Sequence, residues 1–180
     1  MVFDRGGVVV SADGQSGAHL NRGSLYPYRM APLPISRHDR AAGILMVLGG
    51  GIHGALTPDH FGKWWGYGLF FLTAAIAQLV LGIALLTNAV NERDFGAGWL
   101  RMRAGMYAAG AVGNAMLIGT YVVSRTTGVP WFGPEAGEVE RVGAIDVVTK
   151  LVEVVAIGFF VALWRSTRSV ERGRATQAAR

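Results

Sequence analysis

The sequence predicts an all-α membrane protein, a four-transmembrane-helix up-down bundle preceded by a flexible N-terminal arm. The first observation is composition: 51% of the 180 residues are hydrophobic and only 16% are charged, which is too apolar for a typical soluble domain of this size. The second is that the apolar residues are gathered into blocks. The sequence also has no cysteine, which excludes disulfides, iron–sulfur clusters, thiolate metal sites and covalent c-type haem.

Four apolar blocks cover residues 41–56, 66–90, 104–123 and 142–164. A helix needs about 20 residues to cross a bilayer, so the glycine-rich first block is short and the others are long enough. Backbone polar groups in lipid must be paired within their own segment, so each block is predicted to be a helix. Short connections between the blocks favour an up-down-up-down bundle.

The chain divides by composition into three parts. Residues 1–40 are rich in Gly, Ser and Pro, and they contain no apolar run longer than VVV. A secretory signal needs an apolar run of about 7–15 residues, so this part is predicted to be a poorly ordered cytoplasmic arm. Residues 41–165 form the transmembrane domain, and residues 166–180 form a basic cytoplasmic tail.

The distribution of basic residues predicts the topology. One side of the predicted membrane carries most of them, namely Arg29, Arg37, Arg40, Arg93, Arg101, Arg103, Arg165, Arg168, Arg172 and Arg174. The other side carries Lys63, Arg125 and Arg141. The positive-inside rule then puts both termini on the cytoplasmic side of a bacterial inner membrane and the loop 124–141 on the outer face. Because these arginines flank apolar blocks, the net charge of +5 does not indicate a nucleic-acid partner.

The sequence TPDH after the first block has the chemistry of a helix start. Thr57 is a cap residue, Pro58 suits the first helical position, and Asp59 favours the positive end of the helix dipole. The first helix is therefore predicted to end near Leu56. A short helix along the outer interface should follow, with the next tryptophan pair at headgroup level.

Two histidines flank this turn and allow two interpretations. In one, His53 hydrogen-bonds a backbone carbonyl or Asp59, and His60 is a solvated interface residue. In the other, both bind a divalent transition metal such as zinc, copper or iron, together with an acid of the outer loop; the candidate acids are Glu135, Glu138 and Glu140. A haem held by two histidines is disfavoured, because the second, third and fourth blocks contain none.

The fourth block contains charges inside a predicted membrane span. Asp146, Lys150 and Glu153 are spaced to share one helical face. A charge in hydrocarbon costs at least a few kcal/mol, so these side chains should point inward and form Asp146–Lys150 and Lys150–Glu153 pairs, with Gln78 and Asn114 as further interior polar groups. The set is either a polar lock or a proton or ion relay; alternatively, Asp146 lies outside the membrane.

The first two blocks resemble the DoxX-like membrane proteins. The resemblance is a glycine-rich span ending in His, then P-x-x-F, then a span closing on Gln or Glu before G-x-x-L-L; the matching residues are His53, Pro58, Phe61, Gln78, Gly82, Leu85 and Leu86. This chain departs from the pattern in having Gln78 where an acid is often found, and in its long acidic loop. The resemblance implies a four-helix bundle associated with respiratory or redox complexes, without catalytic residues to carry over.

Three functions follow as hypotheses. The first is an accessory or interaction subunit beside a redox or energy-converting complex, whose partners are the lipid bilayer and other membrane subunits or a second copy. The second is a metal-binding or ion-handling protein using the outer histidines and acids. The third is a small-solute transporter with a cavity among Gln78, Asn114 and Lys150. An enzyme is not favoured, because the sequence has no nucleophile–base pair, phosphate loop or dinucleotide fingerprint.

Overall fold

The computed structural model describes residues 36–179. Its helices are α1 (Arg37–Lys63), α2 (Trp65–Leu86), the short α3 (Glu92–Phe95), α4 (Trp99–Thr126) and α5 (Ala144–Ala178), with a 3-10 turn (Gly96–Gly98) before α4. Most of the predicted N-terminal arm lies outside the described residues. The described part begins at Ser36, one residue before α1.

Helices α1, α2, α4 and α5 are each long and apolar enough to cross a membrane, which confirms the all-α fold and indicates a multi-pass membrane protein. Helix α1 packs against α2 and α5, and α5 packs against α4, whereas α2 and α4 hardly meet. The helices run up and down, so residues 127–143 lie at one end of the bundle, called here the loop face. Helix α3 and the last turns of α5 lie at the other end, called the tail face.

Helix α1 begins at a capping box. The Asp39 N–H donates to Ser36 Oγ over 3.0 Å, and the Ser36 N–H donates back to Asp39 Oδ2 over 3.3 Å. These two bonds satisfy backbone donors that the first helical turn otherwise leaves free. The helix therefore starts at Arg37, a few residues before the first apolar block.

The predicted end of α1 near Leu56 is wrong. The helix continues through Pro58 to Lys63, and no separate interfacial helix follows. Proline lacks an N–H and crowds the preceding turn, yet α1 stays helical through Pro58, with Thr57 buried on one side of it and Asp59 exposed on the other. Thr57 is not a cap: its hydroxyl donates to the His53 carbonyl over 2.8 Å, one turn back in the same helix.

Helices α1 and α2 approach each other through glycines. A Cβ atom on Gly82 would stand 2.8 Å from the Gly43 carbonyl oxygen, and one on Gly50 would stand 2.9 Å from the Ala75 carbonyl oxygen. Both distances are shorter than real Cβ contacts. Only glycine permits this backbone approach, which is a common way for helices to associate in lipid.

An apolar layer fills the tail-face half of the bundle. It is formed by buried side chains from all four long helices: Ala42, Met46, Leu85, Tyr107, Ala156, Phe160 and Leu163. Gly110 leaves room for the Phe160 ring, because a Cβ atom there would lie 2.6 Å from Phe160 Cζ. This layer closes the centre of the bundle towards the tail face.

The outer surface of the bundle is apolar, as a lipid-facing surface should be. Large exposed side chains include Leu48, Val80, Met116 and Leu151. The small residues of α4 are divided between inside and outside: Gly110 packs on α5, whereas added Cβ atoms at Gly105 and Gly113 would meet nothing within 4 Å. The spaced small residues of α4 therefore do not all serve to pack this bundle.

Helix α5 extends to Ala178, so residues 166–178 of the predicted basic tail continue the fourth spanning helix. Its last turns are tied to the tail face by ion pairs. Arg101 Nε lies 3.2 Å from Glu171 Oε1, and Arg174 Nη1 lies 3.5 Å from Glu92 Oε1.

Candidate functional site

Each of the four spanning helices contributes a buried polar side chain at the same depth in the bundle. These residues, called here the polar centre, are His53 of α1, Gln78 of α2, Asn114 of α4 and Glu153 of α5. His53 is 4% exposed and Glu153 is 0% exposed. Buried polar groups are costly unless they are hydrogen-bonded, so their mutual contacts determine what the centre can do.

Three of these side chains form a hydrogen-bonded chain. His53 Nδ1 lies 3.0 Å from Gln78 Oε1 and 3.0 Å from the Gly49 carbonyl oxygen. Gln78 Nε2 donates to Asn114 Oδ1 over 3.2 Å, and Asn114 Nδ2 donates to the Gly110 carbonyl over 2.7 Å. Gly49 makes room for the Gln78 amide, because a Cβ atom on Gly49 would lie 3.2 Å from Gln78 Nε2 and Oε1. The predicted interior positions of Gln78 and Asn114 agree with the structure.

Glu153 joins the centre from α5. Its Oε2 atom accepts a hydrogen bond from Lys150 Nζ over 2.6 Å, as the sequence predicts. Its Oε1 atom lies 3.6 Å from His53 Nε2, beyond hydrogen-bond range, and has no hydrogen-bond partner within residues 36–179. One carboxylate oxygen is therefore buried and unsatisfied, directly facing a histidine nitrogen.

Asp146 does not form the predicted pair with Lys150. It lies in the first turn of α5, where its Oδ2 atom accepts from the Gly143 N–H over 2.8 Å and from Arg125 Nη2 over 2.9 Å. A carboxylate is favoured at a helix N-terminus. The available arginine on α4 gives Asp146 a partner on a different helix.

A cavity of about 770 Å³ extends from the loop face down to the polar centre. Aromatic side chains contribute its walls, including Phe70 and Phe71 of α2 and Tyr121 of α4, and its polar lining includes His53, Thr149 and Lys150. Lys150 Nζ lies 5.3 Å from the centroid of the Tyr121 ring, a cation–π contact. Charged side chains, among them Lys63, Arg125 and Glu138, share the lining with these apolar ones. A concave site with convergent polar groups is the usual form of a small-molecule site.

The connecting loop partly covers the mouth of this cavity. Phe132 packs edge-on against Trp64, with ring centroids 5.0 Å apart, and its carbonyl accepts from the Tyr67 hydroxyl over 2.9 Å. The neighbouring Trp131 is 95% exposed with φ of 58°. Of these two adjacent aromatic residues, Phe132 packs on the bundle and Trp131 does not.

The structure does not assemble the predicted metal site. His60 Nδ1 bonds the Leu56 carbonyl over 2.8 Å, and its ring stacks on Phe71 with centroids 3.5 Å apart. The loop acids point elsewhere: Glu135 pairs with Lys63, Glu140 pairs with Arg125, and Glu138 is exposed. Across residues 36–179, no three histidine or acidic side chains converge as a metal site would require. We assign no metal ligand, because His53 Nδ1 is engaged by Gln78 and by the Gly49 carbonyl, and His60 and the loop acids have contacts of their own.

A second buried cluster lies at the tail face, and the sequence analysis missed it. Asp39 Oδ1 accepts from Arg103 Nη2 over 2.7 Å and from the Tyr107 hydroxyl over 2.6 Å, and Arg103 Nη1 donates to Asn88 Oδ1 over 2.7 Å. From the sequence, Arg103 is recognised only as a topology signal. Its spacing of four from Tyr107 and the S-x-x-D cap at Ser36 are the signals that point to this cluster.

Comparisons with protein-family models, with curated proteins and with solved structures find no match to this chain. The DoxX-like resemblance therefore stays a prediction, and functional inference depends on the geometry of the chain itself.

Proposed function

We propose that this protein binds a small amphiphilic molecule within the membrane, in the cavity that opens at the loop face. The observation that carries the proposal is that the cavity ends on the polar centre. Its volume of about 770 Å³ falls within the range of roughly 300–1,000 Å³ that is common for small-molecule sites. This function is closest to the small-solute transporter among the three hypotheses.

The lining favours a ligand with an apolar body and an oxygen acceptor as its polar group. Aromatic rings line the walls, and the Lys150 ammonium near the polar centre has N–H donors that are not used by Glu153. An ammonium carries three N–H donors, of which Glu153 Oε2 takes one. A carboxylate head can therefore contact Lys150 while its alkyl chain lies along Phe70 and Tyr121.

The direction of access follows from the proposed topology. With both termini on the cytoplasmic side of a bacterial inner membrane, the loop face and the cavity mouth lie on the outer side. The apolar layer, which includes Met46 and Phe160, closes the path towards the cytoplasm. A ligand would enter from the outer leaflet or the outer aqueous phase.

The test is a binding assay with tritiated decanoate on the full chain in nanodiscs, with decanol as a competitor of equal chain length. We expect saturable binding above that of empty nanodiscs and weaker competition by decanol. The double variant Lys150→Met with Glu153→Gln removes the ammonium without leaving a buried unpaired acid. Loss of a charge-assisted hydrogen bond of about 1.5–3 kcal/mol would weaken decanoate binding by about ten- to hundredfold.

Lys63→Met is the matched control, because Lys63 is the other lysine of the chain and lies at the exposed rim of the cavity, paired with Glu135. It should leave the affinity for decanoate nearly unchanged. Absence of saturable decanoate binding, or an equal effect of both lysine changes, would contradict the proposed site.

The accessory-subunit hypothesis is kept as a second proposal. The observation that favours it is the outward face of α4, where Gly105, Ala109 and Gly113 are exposed at four-residue spacing. Helices in lipid associate through such small residues. Co-purification of stoichiometric membrane subunits in mild detergent would support this role, and a monodisperse particle without partners would count against it.

A further inference from the structure

The hydrogen bonds of the polar centre fix which nitrogen of His53 carries a hydrogen. The series of hydrogen bonds that links these side chains ends on the backbone carbonyl of Gly110. A carbonyl can only accept, so Asn114 must point its NH2 group there. Its oxygen then faces Gln78, whose NH2 group donates to it. The remaining amide oxygen of Gln78 faces the histidine ring.

His53 Nδ1 consequently faces two acceptors, the Gln78 amide oxygen and the Gly49 carbonyl oxygen, each at 3.0 Å. It must be a donor, so Nδ1 carries a hydrogen in every charge state of the ring. In neutral histidine only one ring nitrogen bears a hydrogen. The nitrogen that can gain or lose a proton is therefore Nε2.

His53 Nε2 faces Glu153 Oε1 at 3.6 Å, and that oxygen has no hydrogen-bond partner in the part of the chain that the structure describes. With neutral His53 and an ionised Glu153 paired to Lys150, two acceptors face each other. The gap admits a proton but no heavier atom. A proton on Nε2 would turn the contact into a charge-assisted N–H···O bond, for which the usual length is about 2.7–2.9 Å.

The surroundings supply few other groups that change charge. Helix α5 presents Glu153 and Lys150 to His53. The neighbours from α2 and α4 are Gln78, Phe71 and Asn114, which do not titrate. His60 lies two turns further along α1 and stacks on the same Phe71 ring. The facing acid is the group placed to share a proton with His53.

We propose that His53 Nε2 and Glu153 Oε1 together form a proton-binding site that exchanges with the loop-face cavity. A proton from cavity water adds to Nε2, which yields an imidazolium that donates to Oε1, and the centre gains one positive charge. Exchange is one-sided, because His53 lines the cavity while the apolar layer lies towards the tail face. The site does not depend on the identity of the proposed ligand.

The test is nitrogen NMR of the full chain in lipid nanodiscs with ¹⁵N-labelled histidine. The chain has 4 histidines, and loss of one signal pair in His53→Asn assigns His53. Between about pH 5 and pH 8, where histidine commonly changes charge, Nδ1 should remain protonated. Nε2 should change from unprotonated to protonated as the pH falls.

Glu153→Gln is the decisive variant, and it keeps the side-chain volume. Lys150 would donate to the new amide oxygen, so the amide N–H would point at Nε2 and hold His53 neutral through the acid end of the range. Glu138→Gln, at the exposed rim, should leave the titration of His53 as in the natural chain. If Glu153→Gln does not fold, the natural chain alone remains a test. A bare Nδ1, an Nε2 that never takes up a proton, or a titration that Glu153→Gln leaves unchanged would overturn the proposal.

Discussion

Gly82 of α2 lies against the backbone of Gly43 in α1, so closely that a Cβ atom on Gly82 would stand 2.8 Å from the Gly43 carbonyl oxygen. Both atoms of that contact belong to rigid helices, so neither can move aside as a flexible side chain would. The spacing between α1 and α2, and with it the His53–Gln78 hydrogen bond further along the same pair, depends on this contact.

Replacement of Gly82 by alanine is therefore expected to destabilise the bundle. Overpacking of a tight contact costs about 1–3 kcal/mol, against a gain in helix propensity of about 1 kcal/mol. Gly113→Ala is the control, because a Cβ atom there meets nothing within 4 Å, and it should stabilise slightly. The measurement is unfolding by dodecyl sulfate in mixed micelles, followed by circular dichroism. Equal effects of the two variants would contradict the close α1–α2 contact.

Loss of the Asp39 charge is expected to destabilise the protein more than loss of the Glu171 charge, which also lies at the tail face. Asp39→Asn leaves the largely buried Arg103 guanidinium without its counter-ion, and breaking a buried ion pair commonly costs about 3–5 kcal/mol. A second change, Arg103→Met, should recover part of that loss, because no unpaired charge then remains. The same micellar unfolding assay measures both variants.

Glu171→Gln provides the reference for the tail-face cluster. Its partners Arg101 and Arg168 both have exposed side chains, and ion pairs of that kind contribute little to stability. A change no larger for Asp39→Asn than for Glu171→Gln would show that the Asp39–Arg103 pair does not hold the tail face together.

Gln78→Leu should destabilise the polar centre. Leucine has a similar size but leaves Asn114 Oδ1 without its donor and removes one acceptor from His53 Nδ1. An unsatisfied buried polar group costs about 1–3 kcal/mol. Gln177→Leu, an exposed glutamine near the end of α5, is the control for the change in side-chain chemistry. If the two variants unfold at the same dodecyl sulfate content, the hydrogen-bonded chain contributes nothing to stability.

The sequence was sufficient to predict the four long helices, but not all of their ends. Each apolar block became a long helix, because length and hydrophobicity alone decide whether a segment can span a bilayer. The local signals at Thr57 and Pro58 were misleading. They are the chemistry of a helix start, yet packing of α1 on α2 and α5 keeps the helix continuous through them.

The candidate site was only partly predictable. Spacing along one helix placed Lys150 and Glu153 together, since side chains three residues apart must share a face. Spacing within helices does not tell which helices are neighbours. The convergence of His53 and Glu153, and the choice of Arg125 over Lys150 as the partner of Asp146, depend on the order of α2, α1, α5 and α4 around the bundle. In the metal-site interpretation the acids of the loop meet the histidines, but cations at the rim pair with Glu135 and Glu140 instead.

The proposed membrane topology is simple to test, because the sequence has no cysteine. Single cysteines are introduced at Glu138, in the loop, and at Arg174, near the end of α5, and intact cells are treated with a membrane-impermeant maleimide. The proposed orientation predicts labelling of Glu138→Cys in intact cells, whereas Arg174→Cys should react only after the membrane is permeabilised. Both positions are exposed in the structure, so a difference in reactivity reports the side of the membrane rather than burial. The reverse pattern would invert the bundle and open the cavity, together with its proton site, towards the cytoplasm.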